Sequence, residues 1–376
     1  MHILYLLPRL VNAGPSNVVA TIISHPTMQA HDITIATFLG KDDSHDNLLS
    51  KQHVNYLSLG DVSFSAIRQL VSYIKANNIE VVHSHGLIPD IVSALIAIWV
   101  PSLRVSTVHC DIKQDYAMEY PRLKAKLYTS LHFLALRLIP NRAAVSKSVQ
   151  STLPFSSNIV RNGVPQKNAD NTLNEQNPNT ETPGLTLVFA GRLIKRKNVQ
   201  FLIDCVARFN QNHQQALFLQ IYGEGELESA LKKAQSSQIS FLGFDDNFAA
   251  RLPTNAIFVN PSLAEGLPMA VIEILARGIP CVLSNIKPHQ EIADCIDAGV
   301  ALFDFNYNSF VSAINQLTST TLLVDIDHAL LAASFAKSLS DKQMVDGYLA
   351  LYQNTSIEKD AVESSVQLQS TDEYKE

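Results

Sequence analysis

Ala256-Ile257-Phe258-Val259-Asn260 runs directly into Pro261-Ser262-Leu263-Ala264-Glu265-Gly266-Leu267-Pro268-Met269-Ala270-Val271-Ile272-Glu273, and a further apolar run, Cys281-Val282-Leu283-Ser284, follows Ala276-Arg277-Gly278-Ile279-Pro280. The first run is apolar at consecutive positions, as in a strand covered on both faces. Pro268 suits the first position of a helix. Gly266 and Leu267 would then present free backbone N–H groups where the helix dipole favours an anion. Strand, loop, helix and strand in this order form the repeating unit of a parallel α/β sheet.

The same alternation extends outward over the 376-residue chain. Strand-length apolar runs at 185–190, 216–222, 239–242, 256–260, 281–284 and 300–303 alternate with helical periodicity, including 199–210 and 268–277. An earlier set, at 2–7, 32–38, 54–57, 81–84, 104–109, 142–146 and 158–160, alternates with helical segments at 16–24, 63–77, 89–99 and 121–138. Between the sets, residues 166–183 are dominated by Gln, Asn, Asp, Glu, Thr and Pro, the composition of a solvated linker. The expected architecture is α/β, with two Rossmann-like doubly wound domains facing across a cleft, at 1–165 and 184–340. A helix at 341–354 is expected to pack back toward the first domain, and 355–376 reads as a polar tail.

At 46% hydrophobic and 17% charged, the composition excludes a disordered protein. The net charge of −6 lacks the footprint of a nucleic-acid binder. Four cysteines, Cys110, Cys205, Cys281 and Cys295, show no CxxC spacing, and a reducing cytosol fits them. Met1-His2-Ile3-Leu4-Tyr5-Leu6-Leu7-Pro8 lacks the basic region of a signal peptide, and the apolar stretch 91–100 falls short of the roughly 20 residues that span a bilayer. A cytoplasmic protein is expected. Between Pro121 and Pro140, Leu123, Leu127, Leu131, Leu134 and Leu138 recur at helical spacing, with Arg122, Lys124, Lys126 and Arg137 elsewhere. The plainer reading packs the leucines on the core and solvates the basic face; the other lays 121–140 on a membrane as a peripheral contact.

Chemistry concentrates in two places. Glu265 in the loop and Glu273 on the second helical turn can point into one cleft and hold sugar or ribose hydroxyls by charge-assisted hydrogen bonds. Phe189-Ala190-Gly191-Arg192-Leu193-Ile194-Lys195-Arg196-Lys197-Asn198 ends a strand in glycine and sets cations at its carboxyl tip. Arg192, as a fork, and Lys197, as a point charge, could neutralise a diphosphate. Either segment alone is also what a capped surface helix or a solvated basic loop would show. Their position at one sheet end joins them. Of only 14 glycines, Gly14, Gly191, Gly223, Gly225, Gly243 and Gly266 fall at strand ends facing one cleft, and alanine should be worst tolerated at Gly14, Gly191 and Gly266, where backbone must approach a phosphate. His83-Ser84-His85 has no further ligand at zinc spacing and reads as structural, and Asp325-Ile326-Asp327, on a helix-like stretch, reads as a chance D-x-D.

Together these motifs resemble glycosyltransferase family 4, retaining enzymes of the GT-B fold whose signature combines E-x7-E with an R-x4-K loop. The spacings match at Glu265 and Glu273 and at Arg192 and Lys197. Asn12-Ala13-Gly14 is similar to the family's first glycine-rich loop and Ser106-Thr107-Val108-His109 to its T-x-H segment. Ala144-Val145-Ser146, Arg161-Asn162-Gly163-Val164 and Gly223-Glu224-Gly225 fit as well. The resemblance implies that Arg192 and Lys197 hold a donor diphosphate, with Gly14, Gly266, Leu267 and Pro268 beside it. It also implies Glu273 on the ribose, Glu265 on the transferred sugar, His109 near that sugar's reacting face, and the base against Gly223 and Gly243-Phe244.

The activity so implied is retaining transfer of a hexose or N-acetylhexosamine from a nucleotide diphosphate sugar, a UDP-sugar first, to a glycan or lipid-linked acceptor. The setting would be bacterial surface polysaccharide biosynthesis, with no metal and no cofactor. A nucleotide-sugar epimerase or hydrolase, or a silent glycan-binding partner, is the alternative on the same fold. Two departures stand out. Ala13 replaces a glycine, and Pro15 after Gly14 removes one N–H donor. Asn285-Ile286-Lys287-Pro288-His289-Gln290-Glu291 stands where the family has a glycine pair, which leaves the role of Glu291 open.

Overall fold

Consecutive Val, Ile and Leu residues need cover on both faces of a strand, and the parallel sheets here supply it. A computed structural model describes residues 1–166, 184–245, 247–253 and 255–353. β1 (His2–Leu7), β2 (Asp32–Thr37), β3 (Val54–Ser58), β4 (Val81–His85), β5 (Leu103–Val108), β6 (Asn141–Ala144) and β7 (Asn158–Ile159) form one sheet in the order 3-2-1-4-5-6-7. β8 (Leu185–Ala190), β9 (Leu217–Tyr222), β10 (Ile239–Gly243), β11 (Ala256–Asn260), β12 (Cys281–Ser284) and β13 (Val300–Phe303) form a second, in the order 10-9-8-11-12-13. Every strand pairing within the two sheets is parallel. Each order reverses once, between β1 and β4 and between β8 and β11, and such switch points open a crevice at the carboxyl ends. The loops after β1, β8 and β11 leave from those ends. The expected linker beyond Gln166 and the expected tail lie outside the described residues.

The chain crosses between the sheets at Val164, whose N–H donates to Leu339 O at 3.2 Å and whose carbonyl accepts from Asp341 N at 3.0 Å. Gly163 permits this approach, because a Cβ there would overlap the Ser340 carbonyl. The helix Asp341–Tyr352 then lies on the first sheet, with Met344, Val345, Tyr348 and Leu351 sharing a core with Ile3, Tyr5 and Ile33. Gly347, for which the sequence suggested no role, packs against Val160, whose Cγ1 would lie 3.0 Å from a Cβ added there.

Elsewhere the two domains share a buried cluster that includes Val108, Val145 and Val149 from the first and Leu267, Val271 and Ile272 from the second. Ser146 Oγ donates to Gly266 O at 3.0 Å and Asn162 Nδ2 to Leu267 O at 2.8 Å. Glu291 accepts from Arg161 Nε at 2.8 Å and from Ser148 N at 3.2 Å. The open question of Glu291 thus has a structural answer, as a carboxylate tying one domain to the other.

The helix Arg122–Leu138 overturns the plainer sequence reading. Its buried residues are Ala125, His132, Ala135 and Leu136, while Leu123, Leu127, Leu131, Leu134 and Leu138 are 39–85% exposed. Periodicity identified the apolar stripe but not its direction. Small Ala125 and Ala135 let the opposite side approach the helices Leu87–Ile96 and Ile112–Glu119, on which it packs. Among the described residues no helix is long and apolar enough to cross a membrane.

Candidate functional site

Gly191 N donates to Tyr222 O at 3.0 Å, and Leu193 N to Glu224 O at 2.8 Å, so the loop after β8 is pinned to the loop after β9. A 3-10 turn at Lys195–Lys197 and left-handed Asn198 (φ 52°) then redirect the chain into the helix Val199–Asn212. This turn delivers two cations to the loop after β11. Glu265 Oε1 accepts from Lys197 Nζ at 2.5 Å and Oε2 from Arg196 Nη1 at 2.9 Å. Arg196 also donates to Ala264 O at 2.6 Å, and its own carbonyl accepts from Leu263 N at 2.9 Å.

The Glu265 side chain is only 7% exposed, and an isolated carboxylate so buried would cost several kcal/mol. Burial pushes its pKa up. The charges of Lys197 and Arg196, with hydrogen bonds from Lys197 and Ser262, outweigh burial and hold it at about 2. Burial alone would deprotonate the Arg196 guanidinium more easily, but Glu265 reverses this and raises its pKa. The sequence paired Glu265 with no particular cation. In the structure Lys197 reaches it, Arg196 is the second partner, and Arg192 stands outside the cluster. Arg192 is exposed, and its guanidinium makes no hydrogen bond or ion pair among the described residues.

His109 follows β5 on the facing domain. Its Nε2 and His85 Nδ1 are hydrogen-bonded at 2.8 Å, and the two rings stack with centroids 5.1 Å apart. Burial lowers the His109 pKa to about 4 and drives His85 well below its ordinary value, so both imidazoles are neutral at pH 7. His83 is the satisfied structural histidine that the sequence suggested, bonded to Tyr352 at 2.7 Å and Thr107 at 2.8 Å. His85 is more than that, since it orients His109.

Gly266 abuts the carbonyl of His109, and a Cβ there would overlap that oxygen. Its closest approach is therefore to the other domain's backbone. The N–H groups of Gly266 and Leu267 meet no acceptor among the described residues. Pro268 is the extended residue before the helix (ψ 115°), and the helix Met269–Leu275 begins one residue later than the sequence suggested. Glu273 lies half-buried on that helix beside Arg277, whose charge it supports.

The other glycines separate by physical role. Gly14 opens the helix Gly14–Ser24 with no side-chain cap, and nothing lies within 4 Å of a Cβ added there. Gly223 (φ 123°) donates to Gly243 O at 2.7 Å, and its Cα faces the Gly191 carbonyl so closely that a Cβ would overlap it. Its tight approach, like that of Gly266, is to protein backbone. Phe244, just past β10, is exposed beside the same turns.

Between His109, Cys110 and Asp111 on one side and Arg196, Glu265 and Gly266 on the other lies a cavity of about 100 Å³. Pockets that enclose a whole small ligand start near 300 Å³, so this one admits only a reacting group. Sequence reasoning missed Arg196, Cys110 and His289. Arg196 was legible as the middle of a three-cation run. Cys110, beside Asp115 and Arg196, and His289, whose pKa burial lowers to about 4 against the opposing charge of nearby Glu265, carried no motif.

Two family models match the chain: Glycosyltransferase Family 4 over residues 13–166 and Glycosyl transferases group 1 over residues 184–320. A UDP-Gal:alpha-D-GlcNAc-diphosphoundecaprenol alpha-1,3-galactosyltransferase of Escherichia coli is 23% identical over 68% of this chain and 70% of its own length. The capsular polysaccharide biosynthesis glycosyltransferase CapH of Staphylococcus aureus is 27% identical over 74% of this chain and 80% of its own. Among solved structures, Anabaena HepE in complex with UDP and glucose superposes with a TM-score of 0.73 at 14% identity, over 94% of this chain and all of that one.

Proposed function

The chain belongs to the glycosyltransferases, a Glycosyltransferase Family 4 domain followed by a group 1 domain in a GT-B fold, and from this we propose a retaining sugar transfer between the two domains. The donor is a nucleotide diphosphate sugar, a UDP-sugar first, carrying a hexose or N-acetylhexosamine. The acceptor is a glycan or lipid-linked saccharide of surface polysaccharide biosynthesis, and the enzyme works on the cytoplasmic side.

One observation carries the reading. At the carboxyl end of the second sheet, Arg196 and Lys197 converge on the buried carboxylate Glu265, and Arg192 on the same loop is exposed with no ion-pair partner among the described residues. The exposed Arg192 is the cation left for a departing diphosphate, and the free Gly266 and Leu267 amides add fixed dipoles beside it. Such preorganised charge needs no divalent ion to stabilise the leaving group, and metal-independent transfer is part of the proposal. His109, neutral and held by His85, can hydrogen-bond a sugar hydroxyl without adding charge. Among the described residues we assign no side chain as a covalent nucleophile, and the acceptor hydroxyl attacks on the face from which the diphosphate departs.

Arg192→Ala is expected to lower kcat/KM for transfer by about 10²-fold, comparable to losing one oxyanion donor, with little change in melting temperature because the side chain is exposed. Near-normal turnover would remove Arg192 from the donor site. In the same assay the wild type is expected to keep full activity in excess EDTA, and a requirement for added Mg²⁺ would overturn the metal-free reading. Incubation with donor and no acceptor separates transfer from epimerisation: the donor sugar should keep its configuration.

A further inference from the structure

His85, the last residue of β4, has one ring nitrogen that nothing satisfies. Its Nδ1 shares the 2.8 Å hydrogen bond with His109 Nε2, while its Nε2 is buried out of reach of water and meets no partner among the described residues. The neighbouring rings offer none. His83, with ring centroids 4.3 Å apart, spends Nδ1 on Tyr352 Oη and Nε2 on Thr107 Oγ1. Tyr5, at 6.3 Å, has its hydroxyl on Tyr352. The His85 ring is thus clamped by packing without a bond to Nε2, and Tyr352 ties that clamp to the helix that returns from the second domain.

A neutral imidazole carries one N–H and one bare lone pair, so the bond between His85 and His109 can be made in two ways. If His109 Nε2–H donated, His85 would hold its own proton on Nε2, as a buried N–H with no acceptor. If His85 Nδ1–H donates instead, Nε2 is left as a bare lone pair. A hydrogen on Nε2 would need both room and an acceptor, and the core around it supplies neither; a lone pair needs no room. Orphaned buried N–H groups are correspondingly rarer than orphaned acceptors. The bond therefore runs from His85 to His109.

This direction fixes the second ring as well, because the hydrogen bond made by one imidazole nitrogen decides which nitrogen holds the proton. With Nε2 accepting, His109 carries its proton on Nδ1, a nitrogen that has no partner among the described residues, on a half-buried side chain at the cavity wall. We propose that His85 is a positioning residue that fixes His109 as its Nδ1–H tautomer, so that His109 presents a hydrogen-bond donor, and no basic lone pair, to the ligand in the cavity beside Glu265 and Gly266. His109 then holds an oxygen lone pair of the transferred sugar and is not the base that takes the acceptor's proton. The identity of that ligand rests on the sugar-transfer reading; the tautomer does not.

Two readouts test this separately. NMR spectra of the ligand-free full chain with isotope-labelled histidines, correlating ring nitrogens with ring protons, should show His85 and His109 both as Nδ1–H tautomers, the signals being assigned by their loss in His85→Asn and His109→Phe. An Nε2–H tautomer at either residue overturns the proposal, whatever the protein's activity. In sugar transfer, His85→Phe keeps a ring in the stack but has no donor, and kcat should fall by about 10-fold, as loss of a partner that orients a functional histidine typically does. His85→Asn sets an amide N–H near the place of Nδ1–H and should recover most of that loss. In a His109→Phe background the same His85→Phe change should cost less than about 2-fold, because the two residues act as one unit. Equal losses in both backgrounds, among variants with unchanged melting curves, would make His85 a packing residue only and overturn the proposal. The assigned tautomers in a protein that transfers no sugar would uphold the proton assignment and refute the transfer reading.

Discussion

Gly266→Ala is expected to reduce transfer by about 10²-fold or more while leaving both domains folded, because its added methyl group would overlap the carbonyl oxygen of His109 on the facing domain. The obstacle is backbone, which cannot swing aside like a side chain. Overpacking of this kind typically costs about 1–3 kcal/mol. Some of that strain can be relieved by parting the domains, which breaks the Ser146–Gly266 and Asn162–Leu267 hydrogen bonds. Displacing reacting groups by about 1 Å is enough for a 10²-fold loss. Steady-state kinetics beside a thermal melt and solution scattering provide the check: activity should collapse and the molecule expand slightly, with secondary structure unchanged. Wild-type activity from Gly266→Ala would mean that the domains do not meet at this point during turnover.

Glu265→Gln should have an effect of similar size on activity and a larger one on stability. Neutralising one member of a buried ion cluster typically costs about 3–5 kcal/mol, because the remaining charges lose their compensation. Here those charges are Lys197 and Arg196. The pH dependence follows from the depressed pKa. Glu265 titrates near 2 in the folded protein against an ordinary 4.5, so its stabilisation is complete above about pH 4.5 and is lost as pH falls through 2. Denaturant melts of wild type and Glu265→Gln should therefore differ most at neutral pH and converge in acid. A gap of constant size down to pH 2.5 would show that the carboxylate's charge is not what stabilises this loop.

Much of this was legible before any coordinates. The strands at 185–190, 256–260, 281–284 and 300–303 coincide with the observed β8, β11, β12 and β13, because buried parallel strands consist of consecutive apolar residues that say so locally. The Glu265–Glu273 and Arg192–Lys197 spacings located the cation-bearing loop and the carboxylate loop at one sheet end for the same reason: both are turns leaving strands. The sequence by itself therefore determined the alternation of elements, the two domains and the loops that carry charge. Only the tertiary structure decided which groups meet. Arg196 rather than Arg192 completes the Glu265 cluster, Gly266 is small for the sake of His109, Glu291 spans the domains to Arg161, and the leucine stripe of Arg122–Leu138 faces outward. Each depends on which surface another segment, from 16 to 157 residues away in the chain, presents to it, and local periodicity carries the amplitude of an apolar face without its direction.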